Sequence, residues 1–334
     1  MSDIQHGGRL DAAVERFGGR AEKWLDLSTG INPATYPIGD IDKRHWQRLP
    51  DQKAWLEAAE AARWAYGGTE HAAISLAAGS QAHIQLLPTL YKPQDVAIVG
   101  FTYQEHGIHW RKAGHQVFVT DGLESAEATA RIIIVVNPNN PDGRIHDRDE
   151  LIELSRRLAA KGGLLVVDEA FGETAPRSSV ADQAGRDGLI VLRSLGKFYG
   201  LAGVRFGAAL TFENLARRLE EGLGPWAVSG PALAVATQAL NDTKWQKKAA
   251  KKLVAGREQL EEVLLSNSHE VVGGTGLFVL SRHGQAERLW QHLAKAHILT
   301  RSFSGKPEWI RFGIPGSKAA FNKLDKALAD FYGD

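Results

Sequence analysis

The stretch "VLRSLGKFYGLAGVRFG", Val191 to Gly207, runs from an apolar segment through Ser194 to Lys197, with Arg205 eight residues further on. An ammonium group in a segment that otherwise reads as interior is costly unless something there uses it. A lysine on a solvated turn is the bland alternative. The sequence on either side decides between the two.

Outward from this stretch, "GLIVLRS" (Gly188 to Ser194) is one of six short apolar runs. The others are "VAIVG" (Val96 to Gly100), "HQVFVT" (His115 to Thr120), "RIIIVVNP" (Arg131 to Pro138), "GLLVVDEA" (Gly163 to Ala170) and "RFGAALT" (Arg205 to Thr211). They lack strict polar alternation, so they read as strands buried on both faces. Helical patterns such as "RDELIELSRRLAAKG" (Arg148 to Gly162) lie between them. The alternation predicts an α/β fold, a mostly parallel central sheet with helices on both faces. That domain is expected over residues 65–215, after an N-terminal arm (1–64) that forms part of a smaller domain. Residues 216–334 are expected to supply linking helices, broken near Asn241 to Thr243, and the rest of a small α+β domain. There, "VVGGTGLFVLSR", "QAERLWQHLAKAHILT" and "WIRFGIP" read as strand, helix, strand.

Bulk composition excludes several classes. The 334 residues carry a formal charge of +1, which gives no electrostatic case for nucleic acid or an anionic membrane. Without cysteine there are no disulfides and no thiolate metal sites. The opening "MSDIQHGGRLDAAVERFGG" lacks the apolar core of a signal peptide, and no run is long enough for a membrane span. A cytoplasmic protein is expected. No G-x-G-x-x-G follows an early strand, which argues against a dinucleotide enzyme.

Ligands of open α/β sheets bind at the carboxyl ends of the strands, and this chain puts unusual groups there. "IIIVV" runs into "NPNNPDGR" (Asn137 to Arg144), "LLVV" ends in Asp168-Glu169, and "LIVL" ends in Arg193-Ser194 before Lys197. "ISLAAGSQAHIQLL" reads as a short strand, a Gly79-Ser80 turn and a helix whose first amides are free to hold an anion. Each feature alone has a plain structural reading: Asp168 as a helix cap, the Asn-Pro loop as a turn, Gly79-Ser80 as capping. Together and in this order they match the needs of pyridoxal 5'-phosphate. An amine forms a Schiff base, a carboxylate keeps the pyridine nitrogen protonated, and a helix start takes the phosphate. Desolvation and a nearby cation such as Arg205 would favour a neutral, nucleophilic Lys197.

The motifs "NPNNPDG", "VVDEAF" and "SLGKFYGLAGVRFG" resemble, nearly over the full length, the fold-type I aminotransferase superfamily, in its histidinol-phosphate aminotransferase-like branch. The resemblance implies that Lys197 is the Schiff-base lysine, Asp168 the pyridinium partner, and Asn140 a donor to the cofactor's phenolic oxygen. It implies that Gly79, Ser80, Gln81, Ser194 and Arg205 bind the cofactor phosphate, that Tyr103 lies over its ring, and that Arg311 clamps a substrate carboxylate. Within that branch, "HGGRLDAAVERFGG", "LDLSTGINPATYP" and "LRSLGKFYGLAGVRFG" are similar to the threonine-phosphate decarboxylases of cobalamin biosynthesis. Phe171, where many aminotransferases have tyrosine, fits that family too. The implied reaction is decarboxylation of L-threonine O-3-phosphate by a homodimer, with His6, Gly30 and Asn140 also at the substrate. His6, Arg9 and Arg301 are candidates for the substrate phosphate. Arg9 after "HGG", Gly30 and Gly196 depart from that family's usual residues. An aminotransferase for histidinol phosphate or an aromatic amino acid would use the same cofactor residues. A non-catalytic scaffold would have no reason to retain the lysine.

Overall fold

The computed structural model describes residues 7–331, in two compact units. The larger comprises residues 35–140 and 144–246. Its strands are β1 (Ala73–Ala77), β2 (Asp95–Val99), β3 (Gln116–Thr120), β4 (Ile132–Val136), β5 (Leu164–Asp168), β6 (Leu189–Ser194) and β7 (Gly207–Thr211). They form one sheet in the order β1-β7-β6-β5-β4-β2-β3. The pairs from β6 through β3 are parallel; β7 runs antiparallel to both β1 and β6. Every residue of β4, β5, β6 and β7 is buried, as expected of central strands that are Ile, Val and Leu through the body of β4 to β6 and mostly small or apolar in β7. The edge strand β3 departs from the expectation: Phe118 is 43% exposed and Val119 63%. It has a neighbour on one side only.

Helix Arg148–Ala160 shows why the connections are helical. Asp147 caps it by accepting from the amides of Asp149 and Glu150, and Leu151, Ile152, Leu154, Ser155 and Leu158 form its buried stripe. Two further helices extend this unit beyond the expected limits of 65 and 215. Helix Gln52–Ala65 buries five alanines and packs on helix Gly230–Asn241. Small side chains allow that close approach, and it brings residues 35–64 and 216–246 into the larger unit.

The smaller unit comprises, among the described residues, 7–34, Pro141–Gly143 and 247–331. Its strands β8 (Glu270–Thr275), β9 (Phe278–Arg282), β10 (Arg301–Ser302) and β11 (Trp309–Gly313) make an antiparallel sheet in the order β10-β11-β9-β8. The segment 271–282, expected as one strand, is therefore a hairpin. Leu25–Asp26 pairs with Ile298–Leu299, which ties the N-terminal arm to this unit. Leu27, Leu260, Leu289, Ile310, Phe312 and Leu324 are among the residues of its core.

Candidate active site

The carboxyl ends of the large sheet carry the cofactor candidates, and close backbone approach assembles them. At the end of β1 the chain turns at Gly79, with φ +85°, into helix Ser80–Leu86, whose start has no side-chain cap. Those first amides are available to an anion. β7 begins at Gly207, where an added Cβ would lie 2.2 Å from the amide nitrogen of Ser80. Only glycine allows the strand to pass so near the helix start. Ser194 ends β6 directly opposite Gly207. Arg205 adopts the left-handed region, φ 56° and ψ 60°, a conformation that costs a non-glycine residue about 1 kcal/mol or more. It thereby lays its guanidinium against Gly79 and donates to the carbonyl of Ala78 at 3.4 Å. Gly79, Ser80, Ser194 and Arg205 thus come together as a cradle of amide, hydroxyl and guanidinium donors.

Asp168 ends β5, two strands along from β7, and is buried. Its Oδ1 accepts from the amide of Ala170 at 3.0 Å, and its Oδ2 lies 2.8 Å from Nε2 of His106. His106, 1% exposed on helix Glu105–Lys112, was not singled out from the sequence. Its only signal was a position three residues after Tyr103, and Asp168 lies 62 residues away. The Tyr103 ring meets the His106 imidazole edge-on at 6.2 Å. Lys197 is half-buried rather than on a solvated turn, and its Nζ lies 5.8 Å from the centroid of the Phe171 ring.

Asn140 lies in the loop after β4. Its neighbours hold that loop: Asn137 donates through its backbone to Asp168 O and accepts at Oδ1 from His146 N, while Asn139 donates to Phe101 O. Alternation along β6 turns Arg193 away from Ser194. There Arg193 forms a buried pair with Glu169 at 2.7 Å, lies 3.5 Å from Glu173, and stacks over Tyr66 at 4.6 Å. Burial pushes the Glu173 carboxyl up, with Arg193 opposing the shift. This cluster, also unanticipated, anchors the strand ends that carry Asp168 and Ser194.

The substrate candidates Gly30 and Arg311 belong to the smaller unit. Arg311, on β11, is 5% exposed, donates to Ser28 O at 2.6 Å and lies over the Phe278 ring. Burial and the nearby Arg301 lower its pKa to about 9, with Asp26 opposing; it stays protonated at neutral pH. Arg301 on β10 is directly opposite Arg311 in the antiparallel register. Like charges in that position repel, which suits a site that takes an anion. Gly30 has φ +62°. The amide of Gly8 donates to Ser28 Oγ at 2.7 Å, so Gly8 runs beside this group, with Arg9 exposed. His6 lies outside the described residues. Among the described residues, no three His, Asp or Glu side chains are arranged to hold a metal ion.

A family model described as aminotransferase class I and II matches residues 42–328. This chain belongs to that family. The threonine-phosphate decarboxylase of Pseudomonas aeruginosa is 42% identical over 334 aligned residues, covering 98% of each chain. That of a Sinorhizobium species is 43% identical over 329, again 98% of each. Among solved structures, the histidinol-phosphate aminotransferase of Sinorhizobium meliloti, in complex with pyridoxal-5'-phosphate, superposes with a TM-score of 0.82 at 20% identity. It covers 98% of this chain and 95% of that one, a likeness of fold.

Proposed function

We propose that this chain catalyses the pyridoxal phosphate-dependent decarboxylation of L-threonine O-3-phosphate to (R)-1-aminopropan-2-ol phosphate, a step of cobalamin nucleotide-loop synthesis. Identity of 42–43% to two threonine-phosphate decarboxylases, over 98% of the chain, carries the reading. The residues suit the cofactor: Gly79 and Gly207 leave a cradle that a Cβ would fill, and its donors are those an anion needs.

When bound, the cofactor supplies a conjugated, electron-withdrawing ring attached to the substrate amine. Ser80, Ser194, Arg205 and the amides after Gly79 hold its phosphate, with Gln81 near them on the same helix. Asn140 donates to its phenolic oxygen. Asp168, fixed as an acceptor by the Ala170 amide and His106, keeps a proton on its pyridine nitrogen. Lys197 is the amine that would hold its aldehyde carbon. Arg311 takes the substrate carboxylate through paired N–H donors, beside Gly30, and Arg301 takes the substrate phosphate. The Cα–carboxyl bond breaks, its electron pair stays with the substrate, and a proton from Lys197 Nζ replaces the departing carbon dioxide at Cα. Arg311 would orient the carboxylate that leaves, a matter of positioning.

The enzyme acts as a homodimer in the cytoplasm. Trp46, Leu49 and Trp226 are 67%, 65% and 58% exposed, an amount of apolar surface that a second copy would cover. Among the described residues, no helix is long and apolar enough to cross a membrane. The deciding experiment is incubation of the holoenzyme with threonine phosphate. Release of carbon dioxide without any oxo acid supports decarboxylation. A strict requirement for 2-oxoglutarate would make the protein an aminotransferase instead. Light scattering at micromolar concentration tests the dimer, and a monomer mass refutes it.

A further inference from the structure

We propose that Gln81 and Glu105, with His109 behind them, are positioning residues that lock the Tyr103 ring in place and tie it to the phosphate-side helix. The inference rests on the reading that Tyr103 lies over the cofactor ring. A phenol reaches its place through two rotatable bonds, and holding its far end fixes both. The Tyr103 hydroxyl donates to Gln81 Oε1 at 3.0 Å, and Gln81 Nε2 donates to Glu105 Oε2 at 2.9 Å. The same carboxylate oxygen lies 2.9 Å from His109 Nε2. The glutamate and histidine side chains are 14% and 15% exposed, so water competes little for these bonds.

The chain of bonds has a direction, and Glu105 sets it. An ionised carboxylate can only accept. The Gln81 amide must therefore turn its NH₂ group to Glu105 and its carbonyl to Tyr103, and the phenol must spend its single hydrogen on that carbonyl. The Tyr103 oxygen is left as an acceptor. His109, on the same helical face one turn on from Glu105, supplies the second N–H that holds the carboxylate still. Because Gln81 is in the first turn of helix Ser80–Leu86, the tether makes the ring-facing aromatic and the start of the phosphate cradle one mechanical unit. A group that merely stabilised the fold would not be coupled to the phenol hydroxyl in particular.

The test is a double-mutant cycle read on cofactor binding, by titrating the apoprotein with pyridoxal phosphate and following the induced visible circular dichroism. Tyr103→Phe and Glu105→Ala should each weaken cofactor binding by about three- to tenfold, the worth of one hydrogen bond. Each should alter the dichroic band, which reports the angle between the two rings. The double variant should be no weaker than either single one, because both break the same chain. Glu105→Gln keeps an acceptor for Gln81 and should bind within about twofold of wild type. Additive losses, or a band altered by Tyr103→Phe and untouched by Glu105→Ala, would overturn the inference while leaving the proposed reaction standing. Wild-type protein that gives no dichroic band overturns both.

Discussion

At the scale of single residues, the assignment turns on an amine that the fold half-buries. Lys197 follows β6 by three residues and lies beside Phe171, itself three residues after Asp168. Lys197→Ala should remove the visible, borohydride-sensitive absorbance of the holoprotein and lower carbon dioxide release by at least ~10³-fold, the scale of a lost proton-transfer group. Spectroscopy and a single-turnover assay check both. Gly207 makes a stricter claim about the cradle. A methyl group there meets backbone atoms of Gly79 and Ser80, which cannot rotate aside. Gly207→Ala should cost about 1–3 kcal/mol of stability and at least about tenfold in cofactor affinity. Gly203, on the same loop, has open space around its Cα. Gly203→Ala should leave cofactor affinity unchanged, and equal losses in the two variants would discredit the cradle.

At the scale of elements, six strands and the polar groups at their ends could be read from the sequence because each is a local signal. An apolar run, a turn residue and one chemically distinctive side chain fall within ten residues of one another. What the sequence did not yield is long-range. His106 reaches Asp168 only when helix Glu105–Lys112 packs on β2 and β3 of the sheet that also holds β5, and Glu169 meets Arg193 only when β5 and β6 pair. The exposure of β3 follows from strand order, and the unit boundaries follow from which helix faces an alanine surface fits. Register also makes the case for Arg301. It is the cross-strand neighbour of Arg311, and like charges directly opposite each other repel, a repulsion that a bound anion would relieve. Arg301→Gln should therefore leave stability unchanged or raise it by about 0.2–1 kcal/mol. It should raise the KM for threonine phosphate about 10- to 100-fold, the equivalent of one charge-assisted hydrogen bond. Parallel loss of stability and substrate binding would show that Arg301 has a structural role only.

At the scale of the whole molecule, each unit holds a buried imidazole that folding keeps neutral. His83, fully buried in the larger unit with Nε2 3.1 Å from Ser75 Oγ, has its pKa lowered to about 4 by desolvation. His269, in the smaller unit, is bonded through Nδ1 to Ser281 Oγ at 2.9 Å and lies 5.0 Å from the ring of His283. Burial and that neighbour lower it to about 4 as well. A base whose folded pKa lies below its unfolded value of about 6.5 binds more protons when unfolded. Stability from each histidine is therefore intact above pH 6.5 and is lost as pH falls through the window from 6.5 to 4. The loss is on the order of 3 kcal/mol per site when complete. Urea unfolding at a series of pH values between 7 and 4.5 measures it. Carboxylates titrate over part of the same range, so the decisive quantity is a difference. His269→Asn, which keeps a polar partner for Ser281 but cannot titrate, should flatten the acid limb by up to the contribution of one site, as should His83→Asn. If both variants lose stability with pH as steeply as wild type, the buried imidazoles are not what limits this protein in acid.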